Sequence, residues 1–286
     1  MVGPGFRTER AFLADPSVLC FAHRGGAAEA PENTLLAFET AIRSGSDVIE
    51  TDLRLTADGE IVTLHDADLE RTTDGRGRVD SMPLAALQRL DAAHHFSPDG
   101  AAFPYRGAGL RVPTLREAVA LDSTIRFNVD LKPRDPRLAR ALWEFIDERR
   151  LHDRFLVASH RTASLRLFRR LSGHRVATSA GYGEVLRFWS LTRLRRSGLA
   201  RVPYDALQVP PRYRGLTVID ERFVSTAHSR GLKVHAYTID EPAAMRHLAE
   251  LGVDGLMSDR PELLTRVLRS SRPGRVGALS GPSADA

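Results

Sequence analysis

Cysteine is nearly absent. Cys20 is the one thiol in 286 residues, which excludes an internal disulfide and a metal cluster built from thiolates. Lysine is almost as rare, with only Lys132 and Lys233 among 41 basic residues. A lysine kept in so arginine-biased a chain marks a place that needs a compact ammonium rather than a planar fork. No apolar run approaches the length of a membrane span, and Arg7, Glu9 and Arg10 interrupt the stretch where a secretory leader would need continuous hydrophobicity. The expected placement is therefore cytoplasmic. Aromatic residues make up 7% of the chain and are not interleaved with the arginines, so the formal net charge of +5 does not read as a nucleic-acid surface. What is present is a hydrophobic content of 42%, ordinary for a globular protein with a sizeable core.

Short β-rich runs alternate with longer helical patterns. Strands are expected over 18–22, 47–53, 125–131, 154–158, 175–178, 205–209, 233–238 and 254–257. Helices are expected over 34–44, 114–121, 136–150, 162–171, 184–196, 219–230, 241–251 and 261–269. Such alternation implies parallel strands joined by crossover helices. Eight units in this length predict an α/β fold, the (β/α)8 TIM barrel. The barrel domain is expected over 18–269, after an N-terminal extension over 1–17 and before a small, polar tail over 270–286 that reads as disordered. Residues 66–112, rich in Gly, Pro, Asp and Arg, read as an excursion over the barrel mouth.

In LRLTADGEIVTLH, residues 53–65, strand-like residues flank Asp58-Gly59, a hairpin turn signal. The connection is too short for a parallel crossover, so a β-hairpin extension is expected after the second barrel strand. With Asp58 and Gly59 as the two central turn residues, Asp52 is expected opposite His65.

DVIETDLRL, residues 47–55, places Glu50 and Asp52 on one face of a strand. Their repulsion calls for positive charge between them, which a divalent cation with oxygen ligands would supply. In RFNVDLKP, Asp130 and Lys132 share a face of the next barrel strand in the same way. FAHRGG ends the first strand in His23 and Arg24, two side chains that are costly to desolvate without partners. In a barrel these residues and His65 converge at the C-terminal mouth, where such folds keep their chemistry. The inventory suits a phosphoester: acids to hold a hard metal, Arg24 and Lys132 to neutralise phosphate, and two histidines as general acid and base.

HRGG, PENT, DVIETD, TADG, HD and RTTDGRG, in that order over residues 19–80, resemble the glycerophosphodiester phosphodiesterase family. The likeness resumes at Asn128–Lys132 and in GLKVHAYTIDEPAAMRHLAELGVDGLMSDRP, residues 231–261. It implies a metal-dependent (β/α)8 barrel of the PI-PLC-like superfamily, cleaving glycerophosphodiesters from deacylated phospholipids to glycerol 3-phosphate and an alcohol. By position, it implies His23 and His65 as the catalytic acid/base pair, and Glu50, Asp52 and Asp130 as ligands of one Mg²⁺ or Ca²⁺ ion. Arg24 and Lys132 would hold the phosphate, and Tyr237 would line the substrate wall. Asp130 stands where the family commonly has Glu, and Tyr237 where it often has Trp. In the mechanism the resemblance implies, one histidine activates a glycerol hydroxyl that attacks phosphorus, the other protonates the leaving alcohol, and water then opens a cyclic phosphate.

Each feature has a plainer explanation when taken alone. His23-Arg24 would be a capped strand end, Glu50 and Asp52 a solvated strand face, Lys132 an ion-pair partner of Asp130. Convergence of all seven at one mouth is what separates the sharp reading from the plain one. Asp66 and Arg71 read as turn organisers that could touch the site, and Glu32 and Asn33 as shaping the loop and capping the next helix. His94, His95, His152, His160, His174, His228 and His247 show no metal spacing, and His235 is left unassigned. The basic amphipathic stretch 184–198 reads as a barrel helix packed on the sheet in preference to a membrane-surface helix. The expected partner is a small-molecule glycerophosphodiester. Two rival functions remain: a lysophospholipase D on membrane lipids, using 184–198 and the 66–112 excursion as an apolar entrance, and a non-catalytic phosphate-binding barrel.

Overall fold

The alternation read from the sequence is present strand for strand. The computed structural model describes residues 10–132 and 135–270. The first nine residues of the expected extension, and the expected tail beyond Ser270, lie outside the described residues. The strands are β1 (Leu19–Ala22), β2 (Val48–Leu55), β3 (Ile61–Thr63), β4 (Arg126–Leu131), β5 (Phe155–Ala158), β6 (Ala177–Thr178), β7 (Ala206–Val209), β8 (Arg212–Tyr213), β9 (Leu216–Thr217), β10 (Lys233–Ala236) and β11 (Gly255–Ser258). The helices are α1 (Leu35–Arg43), α2 (Leu84–Leu87), α3 (Leu115–Ala120), α4 (Pro136–Glu148), α5 (Thr162–Leu171), α6 (Tyr182–Arg193), α7 (Glu221–Ser229), α8 (Pro242–Glu250) and α9 (Pro261–Ser270).

Parallel pairing runs β6-β5-β4-β2-β1-β11-β10-β7, and a parallel bridge between Ser179 and Ala206 joins the two ends. The result is the expected eight-stranded α/β barrel. Apolar side chains fill the layer between strands and helices, with Phe127 stacked on Phe155 at 5.7 Å. Phe12 and Leu13, ahead of β1, are buried with Leu19, Phe21 and Val48. The segment before β1 therefore packs into the barrel's own core. No helix among the described residues is long and apolar enough to cross a membrane.

The N-terminal ends of the strands carry a repeated device. An aspartate directly precedes each of β2, β7 and β11, and each clasps the neighbouring strand through two bonds. Asp47 donates its N–H to the Cys20 carbonyl (3.0 Å) and accepts the Cys20 N–H at Oδ2 (2.8 Å). Asp205 does the same with Thr178 (2.8 and 2.9 Å), and Asp254 with Val234 (2.8 and 2.8 Å). Each carboxylate thus satisfies a backbone donor at the start of the neighbouring ladder.

The hairpin is real but its register differs from the expected one. Leu53 pairs with Thr63 and Leu55 with Ile61, which puts Leu64, not His65, opposite Asp52, with the Leu64 N–H on the Asp52 carbonyl at 2.9 Å. The turn has three central residues, Ala57 to Gly59, because the Thr56 N–H bonds to the Glu60 carbonyl (3.0 Å) and Gly59 adopts φ 88°. That extra residue shifts the register by one. The 66–112 excursion packs on β3 through a small core of Val62, Leu64, Leu69, Val79, Leu87 and Val112.

Candidate active site

All eight residues singled out for the site line one cavity of about 550 Å³ at the C-terminal mouth: His23, Arg24, Glu50, Asp52, His65, Asp130, Lys132 and Tyr237. β1 ends in a sharp reversal that delivers the first two. Arg24, Gly25 and Gly26 run through φ of 52°, 83° and 102°. A Cβ on Gly25 would lie 2.8 Å from the Ala37 Cβ, so the position requires glycine on two counts. The reversal turns the Arg24 N–H onto Glu50 Oε2 (3.0 Å) and its guanidinium toward Glu32 Oε1 (3.0 Å) and Asp52 Oδ2 (3.4 Å).

Glu50 and Asp52 are both buried, and β2 pairs in register with β4 so that Asp52 stands beside Asp130. Lys132 Nζ lies between those two carboxylates, 2.8 Å from Asp52 Oδ1 and 2.7 Å from Asp130 Oδ2. Burial and the neighbouring Asp52 push the Glu50 carboxyl up to about 7. Burial opposes the Asp52 charge, yet Lys132, Arg24 and His65 outweigh it and hold this carboxyl below its usual range. Burial likewise opposes the Lys132 ammonium, and Asp130 with Asp52 more than offsets it, raising its affinity for the proton.

Both histidines are oriented by a carboxylate on Nδ1. His23 Nδ1 is 2.6 Å from Asp259 Oδ1 at the end of β11, with Nε2 3.9 Å from Glu50. His65 Nδ1 is 2.7 Å from Asp66 Oδ1. His65 reaches the mouth because the chain leaves the hairpin after Leu64, with the Arg54 guanidinium holding its carbonyl (Nε–O 3.0 Å). Burial works against the charged His23 ring, but Asp259 and Glu50 raise it overall; at His65 burial prevails over Asp52 and the ring is shifted down.

A network behind the site was only partly legible in the sequence. Arg71 bridges Asp66 and both oxygens of Glu32 (2.8 and 2.6 Å to Glu32), and Glu32 in turn holds Arg24. The two presumed turn organisers therefore tie His65 to Arg24. Asn33, at φ 57°, donates to Asp52 Oδ2 (3.0 Å) and accepts from Thr51 (2.7 Å). The helix cap expected of Glu32 and Asn33 is supplied instead by Thr34, whose Oγ1 accepts the Ala37 N–H at 3.3 Å. Asp259 was missed; its signal was a carboxylate at the C-terminal end of a predicted barrel strand, the same place as Asp52 and Asp130. His235 is fully buried one layer deeper, accepts from Gln208 Nε2 (3.3 Å), and is pushed down to about 4 by burial.

The expected metal cage is not assembled among the described residues: no group of three His, Cys, Asp or Glu is arranged to hold an ion. The physical reason is Lys132, whose ammonium stands between Asp52 and Asp130. The donor chemistry nevertheless fits a hard cation. All three acids offer oxygen, Asp130 Oδ1 is buried with no hydrogen-bond partner, and the buried Glu50 is short of compensating positive charge.

The rest of the cavity is mixed: Asn128, Ser159, His160, Ser179, Gln208 and Thr238 line it from the barrel, and an apolar side is formed by α6 and the β8–β9 hairpin. α6 does pack on the barrel, with Phe188 edge-to-face on Phe223 at 5.7 Å, and it also presents Val185, Leu186 and Trp189 to the cavity. Among the described residues the 66–112 excursion contributes nothing to the lining. Of the two segments expected to form an apolar entrance under the rival reading, the 184–198 helix lines the cavity and the excursion does not, its place being taken by the β8–β9 hairpin.

Comparison with known proteins gives a consistent picture. Residues 23–263 match the model of the glycerophosphoryl diester phosphodiesterase family. A glycerophosphodiester phosphodiesterase of Caldanaerobacter subterraneus is 30% identical over 88% of this chain and 98% of the relative. A probable glycerophosphodiester phosphodiesterase 2 of Mycobacterium tuberculosis is 32% identical over 90% of this chain and 93% of its own. Among solved structures, an Oleispira antarctica phosphodiesterase in complex with the product sn-glycerol-3-phosphate superposes with a TM-score of 0.71. It is 27% identical and covers 91% of this chain and 99% of that one. The glycerophosphoryl diester phosphodiesterase domain of a Mycobacterium tuberculosis protein reaches a TM-score of 0.78 at 22% identity, over 87% of this chain and 98% of that one, a likeness of fold.

Proposed function

The chain belongs to the glycerophosphoryl diester phosphodiesterase family, and on that premise we propose that it hydrolyses glycerophosphodiesters to sn-glycerol 3-phosphate and an alcohol at the barrel mouth. The observation that carries this reading is the pair of histidines facing one cavity, each with Nδ1 held by a carboxylate, around three acids and two cations. A carboxylate on Nδ1 fixes the tautomer and leaves Nε2 for proton transfer. One histidine takes the proton of the attacking hydroxyl as its oxygen bonds to phosphorus. The other gives a proton to the departing alcohol oxygen as that P–O bond breaks. Water then opens the cyclic phosphate, losing its proton to the second histidine while the first returns its proton to the glycerol oxygen released from phosphorus. The product held by the Oleispira relative is of the same chemical class.

Glu50, Asp52 and Asp130 would hold a divalent cation, Mg²⁺ or Ca²⁺, which when bound supplies Lewis-acid polarisation of a phosphoryl oxygen. Formal charge supports this. Glu32, Glu50, Asp52, Asp66, Asp130 and Asp259 outnumber Arg24, Arg71 and Lys132 at this end, and a dication reduces that excess of negative charge. Arg24 and Lys132 meet the phosphate by sharing the contacts they now make with Asp52 and Asp130. The Glu32–Arg71–Asp66 network keeps Arg24 and His65 in place. Tyr237, partly buried, lines the same cavity and would form part of the substrate wall.

The test is release of sn-glycerol 3-phosphate from glycerophosphocholine by the wild type and by His23→Ala and His65→Ala. Each variant should lose about 10²- to 10⁴-fold in turnover with unchanged circular dichroism. Wild-type rates in either variant would remove that histidine from the chemistry.

A further inference from the structure

Branched apolar side chains ordinarily fill the inside of a (β/α)8 barrel. Just below Asp130 this one carries a polar line instead. Asn128 stands two residues before Asp130 on β4, in register with Glu50 on β2. Gln208 on β7 donates through Nε2 to Asn128 Oδ1 (3.1 Å) and to His235 Nδ1 on β10 (3.3 Å). β4 and β7 are not neighbours in the sheet, so the first of these bonds crosses the barrel interior. A side-chain amide nitrogen has two hydrogens, and here both are committed. Gln208 Oε1 is thereby turned away from His235, and Asn128, accepting through Oδ1, turns Nδ2 the other way. Neither Oε1 nor Nδ2 has a hydrogen-bond partner among the described residues, and both residues line the cavity. His235 makes the orientation one-way. Burial pushes its ring down to about 4, so the ring is neutral, and with Nδ1 accepting its proton lies on Nε2. That Nε2 is buried without a partner. A layer that served packing alone would not strand a donor there, since an aliphatic side chain beside Phe21 would avoid the penalty.

We propose that Gln208 and Asn128 bind the terminal hydroxyl of the substrate's glycerol moiety, with His235 as the positioning residue that turns the Gln208 amide toward it. The proposal rests on the phosphodiesterase reading above. A free amide oxygen needs a donor and a free amide N–H needs an acceptor; a hydroxyl is both at one atom. An ionised phosphate oxygen has no hydrogen for Oε1, and a quaternary ammonium satisfies neither group. The floor is also closed, because His235 beneath it is fully buried. It therefore takes the short, constant end of the substrate rather than the alcohol that varies. That end carries two hydroxyls. The one next to the ester oxygen attacks phosphorus, which leaves the terminal one for the amides.

The experiment compares kcat/KM for glycerophosphocholine with that for 2-hydroxypropyl phosphocholine of matching configuration, by choline release with Mg²⁺ or Ca²⁺ present. The analogue lacks the terminal hydroxyl but keeps the attacking one, so the ratio reports recognition alone. The wild type should favour the full substrate by about 100-fold or more. Gln208→Leu should bring that ratio below about tenfold. His235→Leu should do the same although the ring touches no substrate. His235→Asn should keep the ratio high, because Oδ1 replaces Nδ1 as the acceptor of the Gln208 N–H. The ratio is read within each variant, so a general loosening of the core, which lowers both rates alike, does not move it. Equal use of the two substrates by the wild type overturns the proposal and leaves the phosphodiesterase reading standing. A ratio unchanged in Gln208→Leu overturns it too, since the hydroxyl is then read elsewhere. A ratio lost in Gln208→Leu but kept in His235→Leu removes His235 from the positioning role. No choline from either substrate with either ion defeats the parent reading, and with it this one.

Discussion

The two ends of this barrel use the same side chain for opposite purposes. At the strand starts, Asp47, Asp205 and Asp254 spend their oxygens on backbone N–H groups of the adjacent strand. At the strand ends, Glu50, Asp52 and Asp130 crowd one another with fewer partners than they can accept, and Asp130 Oδ1 has none. A carboxylate with its hydrogen bonds satisfied stabilises a fold; one buried beside another acid works against it. Such unspent charge persists at a site when something outside the chain completes it.

The largest effect should come from breaking the mouth. Glu50→Gln keeps shape but removes charge, and turnover of glycerophosphocholine should fall more than about 100-fold, measured by product release. Thermal unfolding of the metal-free variant should be no easier than that of the wild type. A marked loss of stability would mean that Glu50 is a structural group like those at the other end.

The converse holds at the strand starts. Asp254→Ala strands the Val234 N–H and should cost about 1.5–3 kcal/mol in denaturant unfolding, with turnover per folded molecule unchanged. Equal damage to catalysis would show that the two ends are not separable.

The smallest effect sharpens the contrast through pH. Burial opposes the Asp254 charge, but the Val234 N–H, His228 and Lys233 hold its carboxyl below the ordinary value. Its contribution is therefore full above the unfolded-chain value near 3.9 and is lost as pH falls through the lower folded value. Glu50 has the opposite sign. Pushed up to about 7, it penalises the metal-free fold increasingly as pH rises from roughly 4.3 toward 7. In EDTA, the stability difference between wild type and Glu50→Gln should thus shift in favour of the variant from pH 5 to pH 8. Over the same range the deficit of Asp254→Ala, measured in a His228→Gln background that removes its titrating partner, should stay constant. Parallel curves for the two variants would contradict the assignment.

The fold was legible because period and punctuation agree along the whole chain: each predicted strand and helix is present, and eight strands close as expected. The hairpin register was not, because Asp58-Gly59 suits both a two-residue turn and a three-residue loop, and only the Thr56–Glu60 bond decides between them. The mouth was legible at Glu50, Asp52, Asp130 and Lys132, whose spacing of two fixes a shared face. What spacing could not give was contact between segments far apart in the chain. Asp259 reaches His23 across 236 residues and Arg71 reaches Glu32 across 39. Nor could it show that Lys132 would stand between two acids rather than beside them. The aspartate clasps went unread because one aspartate before a strand looks like any turn residue; only the repeated pairing with a neighbour gives it meaning.

The central claim is that the acids at the mouth are completed by a divalent cation and a phosphodiester. Its most direct test is release of sn-glycerol 3-phosphate from glycerophosphocholine by EDTA-treated protein, before and after adding back Mg²⁺ or Ca²⁺. The account predicts activity lost on treatment and restored by one of the two ions. Undiminished release after metal removal, or no release with either ion, would contradict it.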